Sequence, residues 1–90
     1  PMVVAEANAH GCPVLITDTG GIPSLMAPEN GRMLPLGADG AAWAAAIAEI
    51  IRDPAAYRRL SHSSFAHCRD RLTWEAWADA VVALLCKYAV

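Results

Sequence analysis

The chain has 90 residues, 56 % of them apolar and 18 % charged, with a formal net charge of -2. Its length fits one small domain or part of a larger one, since domains usually run to roughly 100–150 residues. Seven basic against nine acidic residues, with no basic run, exclude a nucleic-acid surface driven by phosphate charge, and no apolar run approaches the ~20 residues of a membrane span. A typical globular chain carries about 25 % charged residues, so the apolar excess predicts a surface that something else covers. Three scattered cysteines, Cys12, Cys68 and Cys86, argue against a disulfide framework and for a reducing, cytoplasmic setting. The opening PMVVAEANAH has no initiator Met and no basic-then-apolar leader, so it reads as the interior of a domain.

The Ala-rich segment MVVAEANAH predicts a helix that stops at Gly11. PVLIT follows as a short apolar run suited to a buried parallel strand, with Pro13 tolerated at its start. DTGGIPSLM predicts a loop with one helical turn, and APENG a turn. RMLPL predicts a second short strand, weakened by Pro35. Asp39 is positioned to cap a helix AAWAAAIAEIIRD, whose stripe Ala44, Ile47, Ala48 and Ile51 is widened by Trp43 and Ile50. Asp53 caps a third helix with Pro54 in its first position, and Tyr57, Leu60, Ser61, Ser64, Phe65 and Cys68 fall near one face. Thr73 caps a last helix with Trp74, Trp77, Val81, Leu84, Leu85 and Tyr88 on its apolar side. The fold class is α/β: two short parallel strands plus several helices, the C-terminal portion of a Rossmann-like domain. Two strands make no stable sheet alone.

Two readings stand for Glu6. It is a solvent-facing helix carboxylate, or it faces a ligand outside the C-terminal ends of the strands, where open α/β sheets bind. A carboxylate there accepts charge-assisted hydrogen bonds from a ribose. Gly20 and Gly21 are a plain turn, or a place where a diphosphate approaches the backbone, with the N–H groups of Gly21 and Ile22 as donors. Asp18 and Thr19 read as loop-formers, and His10 as favouring the negative pole of the first helix. His62, His67 and Cys68 have no metal-ligand spacing; Cys12 and Cys86 are expected to be buried and inert; the serines lack a His and acid set. No catalytic residue and no metal site is assigned.

In order and spacing, EANAHGCPVLITDTGGIPSL resembles the nucleotide-sugar-binding half of retaining GT-B glycosyltransferases, the glycosyl transferases group 1 family. NGRMLPLGADGAAWAAAIAEIIRDPAAYRRL is similar to the segment that follows in that family, and LTWEAWADAVVALL to its closing Ser/Thr-Trp helix. The resemblance covers nearly the whole chain. It implies that Glu6 is the family glutamate that holds the ribose hydroxyls, and that Gly20, Gly21 and Ile22 form the loop beside the donor. The family's other glutamate and its basic pair would precede Pro1. Ser24 stands where relatives usually carry a glutamate. Residues 1–72 are then part of the donor-binding domain, and residues 73–90 a closing helix directed toward an acceptor domain.

The activity implied is sugar transfer from a nucleotide diphosphate sugar to a hydroxyl acceptor with retention, without a cofactor or essential metal. The full enzyme would be cytoplasmic or peripheral to a membrane, and the 90-residue chain alone inactive. Two alternatives are a non-catalytic α/β module and a nucleotide-sugar 2-epimerase fragment; the Gly-Gly-Ile-Pro loop and the Thr-Trp helix favour the transferase. The isolated chain, with a sheet edge unpaired, is expected to dimerise or aggregate. Analytical ultracentrifugation of a single monomeric species that melts cooperatively would contradict this.

Overall fold

The structure is a computed structural model describing residues 2–89. Helix α1 (Met2–Ala9) leads into strand β1 (Val14–Thr17), a single 3₁₀ turn (Ile22–Leu25) and strand β2 (Gly31–Leu34). Helices α2 (Gly40–Ile51), α3 (Pro54–Arg71) and α4 (Trp74–Tyr88) follow. The fold is α/β, with two parallel strands as the sequence predicts, in the register Val14↔Gly31 to Thr17↔Leu34. A parallel pair needs a crossover of about a dozen residues or more, which the segment 18–30 supplies. Pro35 lies just beyond β2 and costs it no ladder bond.

Local signals set the helix ends. The amide of Gly11, at φ 71°, donates to the Asn8 carbonyl at 2.9 Å, and that of Cys12 to Ala7 at 2.9 Å. Together these bonds close α1 as a Schellman motif. Asp39 accepts from the Ala42 amide at 2.9 Å, Asp53 from Ala55 at 3.0 Å, and Thr73 from Ala76 at 3.1 Å. All three caps were legible in the sequence, because each residue type offers an oxygen to an otherwise orphaned amide.

The centre of the molecule is polar. Val4, Asn8, Asn30 and Ser64 are the largest fully buried side chains. Asn30 Nδ2 donates to Asn8 Oδ1 at 3.0 Å and to the Leu25 carbonyl at 2.9 Å, and Asn30 Oδ1 accepts from the Ala27 amide at 2.7 Å. Asn8 Nδ2 donates to the Cys12 carbonyl at 2.9 Å. No buried side-chain nitrogen or oxygen among the described residues lacks a partner. The next residue, Gly31, presses β2 onto β1. At φ 147°, a Cβ on Gly31 would lie 1.8 Å from the Val14 carbonyl oxygen, so no side chain fits.

Helix α3 is fastened to this centre mainly by hydroxyls. Ser61 Oγ donates to the Gly11 carbonyl at 2.6 Å and Ser63 Oγ to Glu29 at 2.7 Å, while the Cys68 thiol donates to Ala5 at 3.4 Å. Leu60, Ser61, Ser64 and Cys68 turn inward as their spacing predicts, but Tyr57 and Phe65, placed on the same face, are exposed. A similar correction applies to α2. Trp43, Ala46 and Ile50 are half-buried, and the expected stripe Ala44, Ile47, Ala48 and Ile51 is exposed. An Ala-rich helix offers nearly equivalent apolar faces, so contact with β2 and α3 decides which one packs. Extents of 51 × 29 × 17 Å describe a thin body, which is why few side chains are enclosed.

Truncating Asn30→Ala strands Asn8 Oδ1, the Leu25 carbonyl and the Ala27 amide. A loss of about 3 kcal/mol follows if these groups stay dry. Urea denaturation of the full-length protein checks it against Ser63→Ala, whose partly exposed hydroxyl should cost less than about 1.5 kcal/mol. Equal midpoints for the two variants would contradict the central role of the amide pair.

Candidate functional site

One face of α1 is committed to the centre through Val4 and Asn8. At roughly 100° per residue, Glu6 lies on the opposite side of the helix from both. There Met2, Ala5 and Glu6, at helical spacing, form one wall of an open groove of about 650 Å³. Ser24 and Leu25 enter it from the 3₁₀ turn, Arg71 and Thr73 from the α3–α4 joint, and Trp74 and Trp77 from α4. The size lies within the roughly 300–1,000 Å³ usual for small-molecule sites.

The Glu6 carboxylate is exposed and makes no hydrogen bond or ion pair with any described residue. Only its backbone is engaged, its carbonyl accepting from His10 Nδ1 at 3.0 Å. His10 thus caps the last turn of α1, as expected of a histidine at the negative pole.

Gly20 and Gly21 form an exposed turn at the end of β1 and are not part of the groove wall; neither is Ile22, which starts the 3₁₀ turn half-buried. Gly20 sits at φ 56°, which explains its glycine. Gly21 has φ -85° and nothing within 4 Å of an added Cβ, so neither backbone nor packing among the described residues requires glycine there. The structure therefore joins Glu6 to the end of the glycine loop, at Ser24, and leaves the glycines themselves in the open. Ser24 Oγ donates to the Gly21 carbonyl at 2.6 Å and fastens the turn on itself.

The sequence reading gave Arg71 no role and placed Trp74 and Trp77 on the apolar side of the last helix. In the structure the two indoles meet edge to face at 5.9 Å and line the groove, with 73 % and 59 % of their surface exposed. No spacing in the sequence brings α4 across from α1; only the α3–α4 joint does. Cys12 and Cys86, expected to be buried, are exposed. Beside Arg71, Arg69 Nε donates to Asp70 Oδ1 at 2.9 Å and Arg69 Nη2 to Oδ2 at 3.3 Å. This bidentate contact holds the Asp70 carboxyl below its usual range and raises the Arg69 guanidinium.

The chain belongs to the glycosyl transferases group 1 family, whose sequence profile matches residues 1–53. Its α/β layer is accordingly part of a Rossmann-like domain of the GT-B type. Three D-inositol 3-phosphate glycosyltransferases are similar to it across most of its length. That of Mycolicibacterium smegmatis is 37 % identical over 98 % of this chain, that of Segniliparus rotundus 33 % over 91 %, and that of Corynebacterium efficiens 31 % over 92 %. The matched region is only 18–19 % of each relative. No solved structure matches the chain significantly. No helix among the described residues is long and apolar enough to cross a membrane.

The Asp70 contact makes stability fall slightly in acid. With its carboxyl lowered in the fold, the pair contributes above the unfolded-state pKa of Asp70, and that contribution is lost as pH falls through the folded value. Both groups are exposed, so the effect on stability is small. In an NMR titration of side-chain carboxyls, Asp70 should titrate below ordinary aspartates and move up in Arg69→Gln; an unmoved value would contradict the contact.

Proposed function

We propose that the chain forms the donor-nucleotide-binding part of a retaining glycosyltransferase, which transfers a sugar from a nucleotide diphosphate sugar to a hydroxyl acceptor. The observation that carries this reading is the Glu6 carboxylate, which stands on the groove with no partner among the described residues. A carboxylate free of internal contacts accepts two hydroxyl hydrogens well, and charge-assisted bonds of this kind are short and directional. Glu6 in this reading orients the ribose and transfers no proton. Gly21 supports it, since a glycine that the fold does not need suits a ligand resting on the backbone. Gly20 and Ile22 complete that loop, with the start of the 3₁₀ turn beside the donor diphosphate.

Residues 1–72 act as the donor-binding part and residues 73–90 as the closing helix against an acceptor domain. Large apolar side chains along α4 support that division: Leu84, Leu85 and Tyr88 are all more than half exposed. Closure of such a domain would roof the groove and exclude water during transfer. The names of the relatives make a phosphorylated inositol the first acceptor to try. The 90-residue chain alone should give no transfer, because it spans under a fifth of those relatives.

Isothermal calorimetry of the full-length protein with UDP and GDP tests the role of Glu6. Glu6→Gln should weaken the preferred diphosphate by about 1.5–3 kcal/mol, a loss of roughly 10- to 150-fold. Equal affinities in wild type and variant would refute the assignment.

A further inference from the structure

We propose that Asn30, through its bond to Asn8, is a positioning residue of the groove: it sets the span between Glu6 on α1 and the 3₁₀ turn, and so the geometry offered to a nucleotide. This rests on the donor-site reading above. The two walls belong to separate elements. Glu6 stands on α1, two residues ahead of Asn8, while Ser24 and Leu25 stand on the 3₁₀ turn that the glycine pair leads into. One amide nitrogen holds both. Asn30 Nδ2 gives one hydrogen to Asn8 Oδ1 at 3.0 Å and the other to the Leu25 carbonyl at 2.9 Å. Among the described residues no other hydrogen-bonded route joins α1 to that turn. The hydroxyl of Ser61 and the thiol of Cys68 tie Gly11 and Ala5 to α3, and leave the span to the turn unset.

The bridge is held in one orientation. Asn30 Oδ1 accepts from the Ala27 amide at 2.7 Å, so its oxygen and nitrogen cannot exchange places. Asn8 Nδ2 donates to the Cys12 carbonyl at 2.9 Å, which fixes the other amide in the same way. The Asn30 backbone carbonyl accepts from the Val14 amide at 3.0 Å and anchors the residue to β1. Both side chains are fully buried, so water does not replace a bond that breaks. Neither lines the groove, so their influence reaches a ligand only through the two walls. Hydrogen bonds weaken beyond about 3.2 Å. A small displacement of α1 therefore takes the Glu6 carboxylate out of reach of both ribose hydroxyls at once.

The full-length protein is titrated calorimetrically with UDP and GDP, and thermal melting is followed in parallel. Wild type, Asn8→Ala, Asn8→Asp, Glu6→Gln and the Glu6→Gln, Asn8→Ala double variant are compared. Asp39→Ala is the control, since it weakens a helix cap outside the groove. Asn8→Ala breaks the bond to Asn30 and should weaken the preferred diphosphate roughly three- to tenfold. Asn8→Asp keeps an oxygen for Asn30 Nδ2 and should recover part of that loss. Asp39→Ala should lower the melting temperature and leave affinity unmoved. In the Glu6→Gln background Asn8→Ala should add little, because the carboxylate through which it acts is gone. If Asn8→Ala does not fold, Asn8→Leu, close in volume and unable to make the bond, is read in its place. Wild-type affinity in the folded Asn8 variant, or the same fold-loss with and without the Glu6 carboxylate, would overturn the proposal. A Glu6→Gln variant that binds as wild type does removes the ribose assignment and this proposal with it. A weakened Glu6→Gln beside an unaffected Asn8→Ala removes the positioning role alone.

Discussion

Everything in this small fold turns on two asparagines that meet out of reach of water. Burying an amide without partners costs about 1–3 kcal/mol in proteins, so a buried pair is tolerable only when each group is satisfied. Asn8 and Asn30 meet that condition between them and three backbone groups, at Cys12, Leu25 and Ala27. One contact joins the end of α1 to the approach of β2 across 22 positions of sequence. It fixes the rotation of α1, and Gly31 next door fixes how closely β2 lies on β1. Once the Val4 and Asn8 side of α1 is bound inward, the Glu6 side must look out. The Glu6 carboxylate therefore owes its position to a contact on the far face of its own helix.

The centre works by specific hydrogen bonds rather than by apolar volume. Val4 and Leu34 are the only buried apolar side chains among the described residues. The serines of α3 seize carbonyls of Gly11 and Glu29, at the two turns that the asparagine pair already holds. Such a network is geometrically exacting and sets one arrangement of the helices, where apolar contacts alone would tolerate several. The high apolar content goes outward instead, onto α2 and above all onto α4, whose first turn also builds a wall of the groove. An exposed apolar surface of that kind suits contact with another protein surface.

Much of this order was legible in the sequence because it is encoded locally. Caps at Asp39, Asp53 and Thr73, the glycine stop at Gly11 and the two apolar strands each depend on a few neighbouring residues. Asn30 was hidden for the opposite reason. Within APENG it has the composition of an ordinary turn, and nothing nearby shows that its amide reaches Asn8. The packing side of α2 was also illegible, since alanines give both faces the same appearance. Tyr57 and Phe65 shared a face with Ser61 and Ser64, but a helix held by hydroxyls sits close to its partner and leaves bulky rings at the margin. For the site, Glu6 stood out as the one acid of a short helix that leads into a strand followed by a glycine pair. The place of Trp74 and Trp77 on the groove did not stand out, because it comes from the joint that carries α4 back across α1.

We propose that the outward side of α1 presents Glu6 to the ribose of a nucleotide. A crystal structure of the full-length protein with a nucleoside diphosphate bound tests it most directly. The two ribose hydroxyls are expected within about 2.5–3.0 Å of the Glu6 carboxylate oxygens, with the glycine turn alongside. A nucleotide seated elsewhere, with that carboxylate left in solvent, would contradict it.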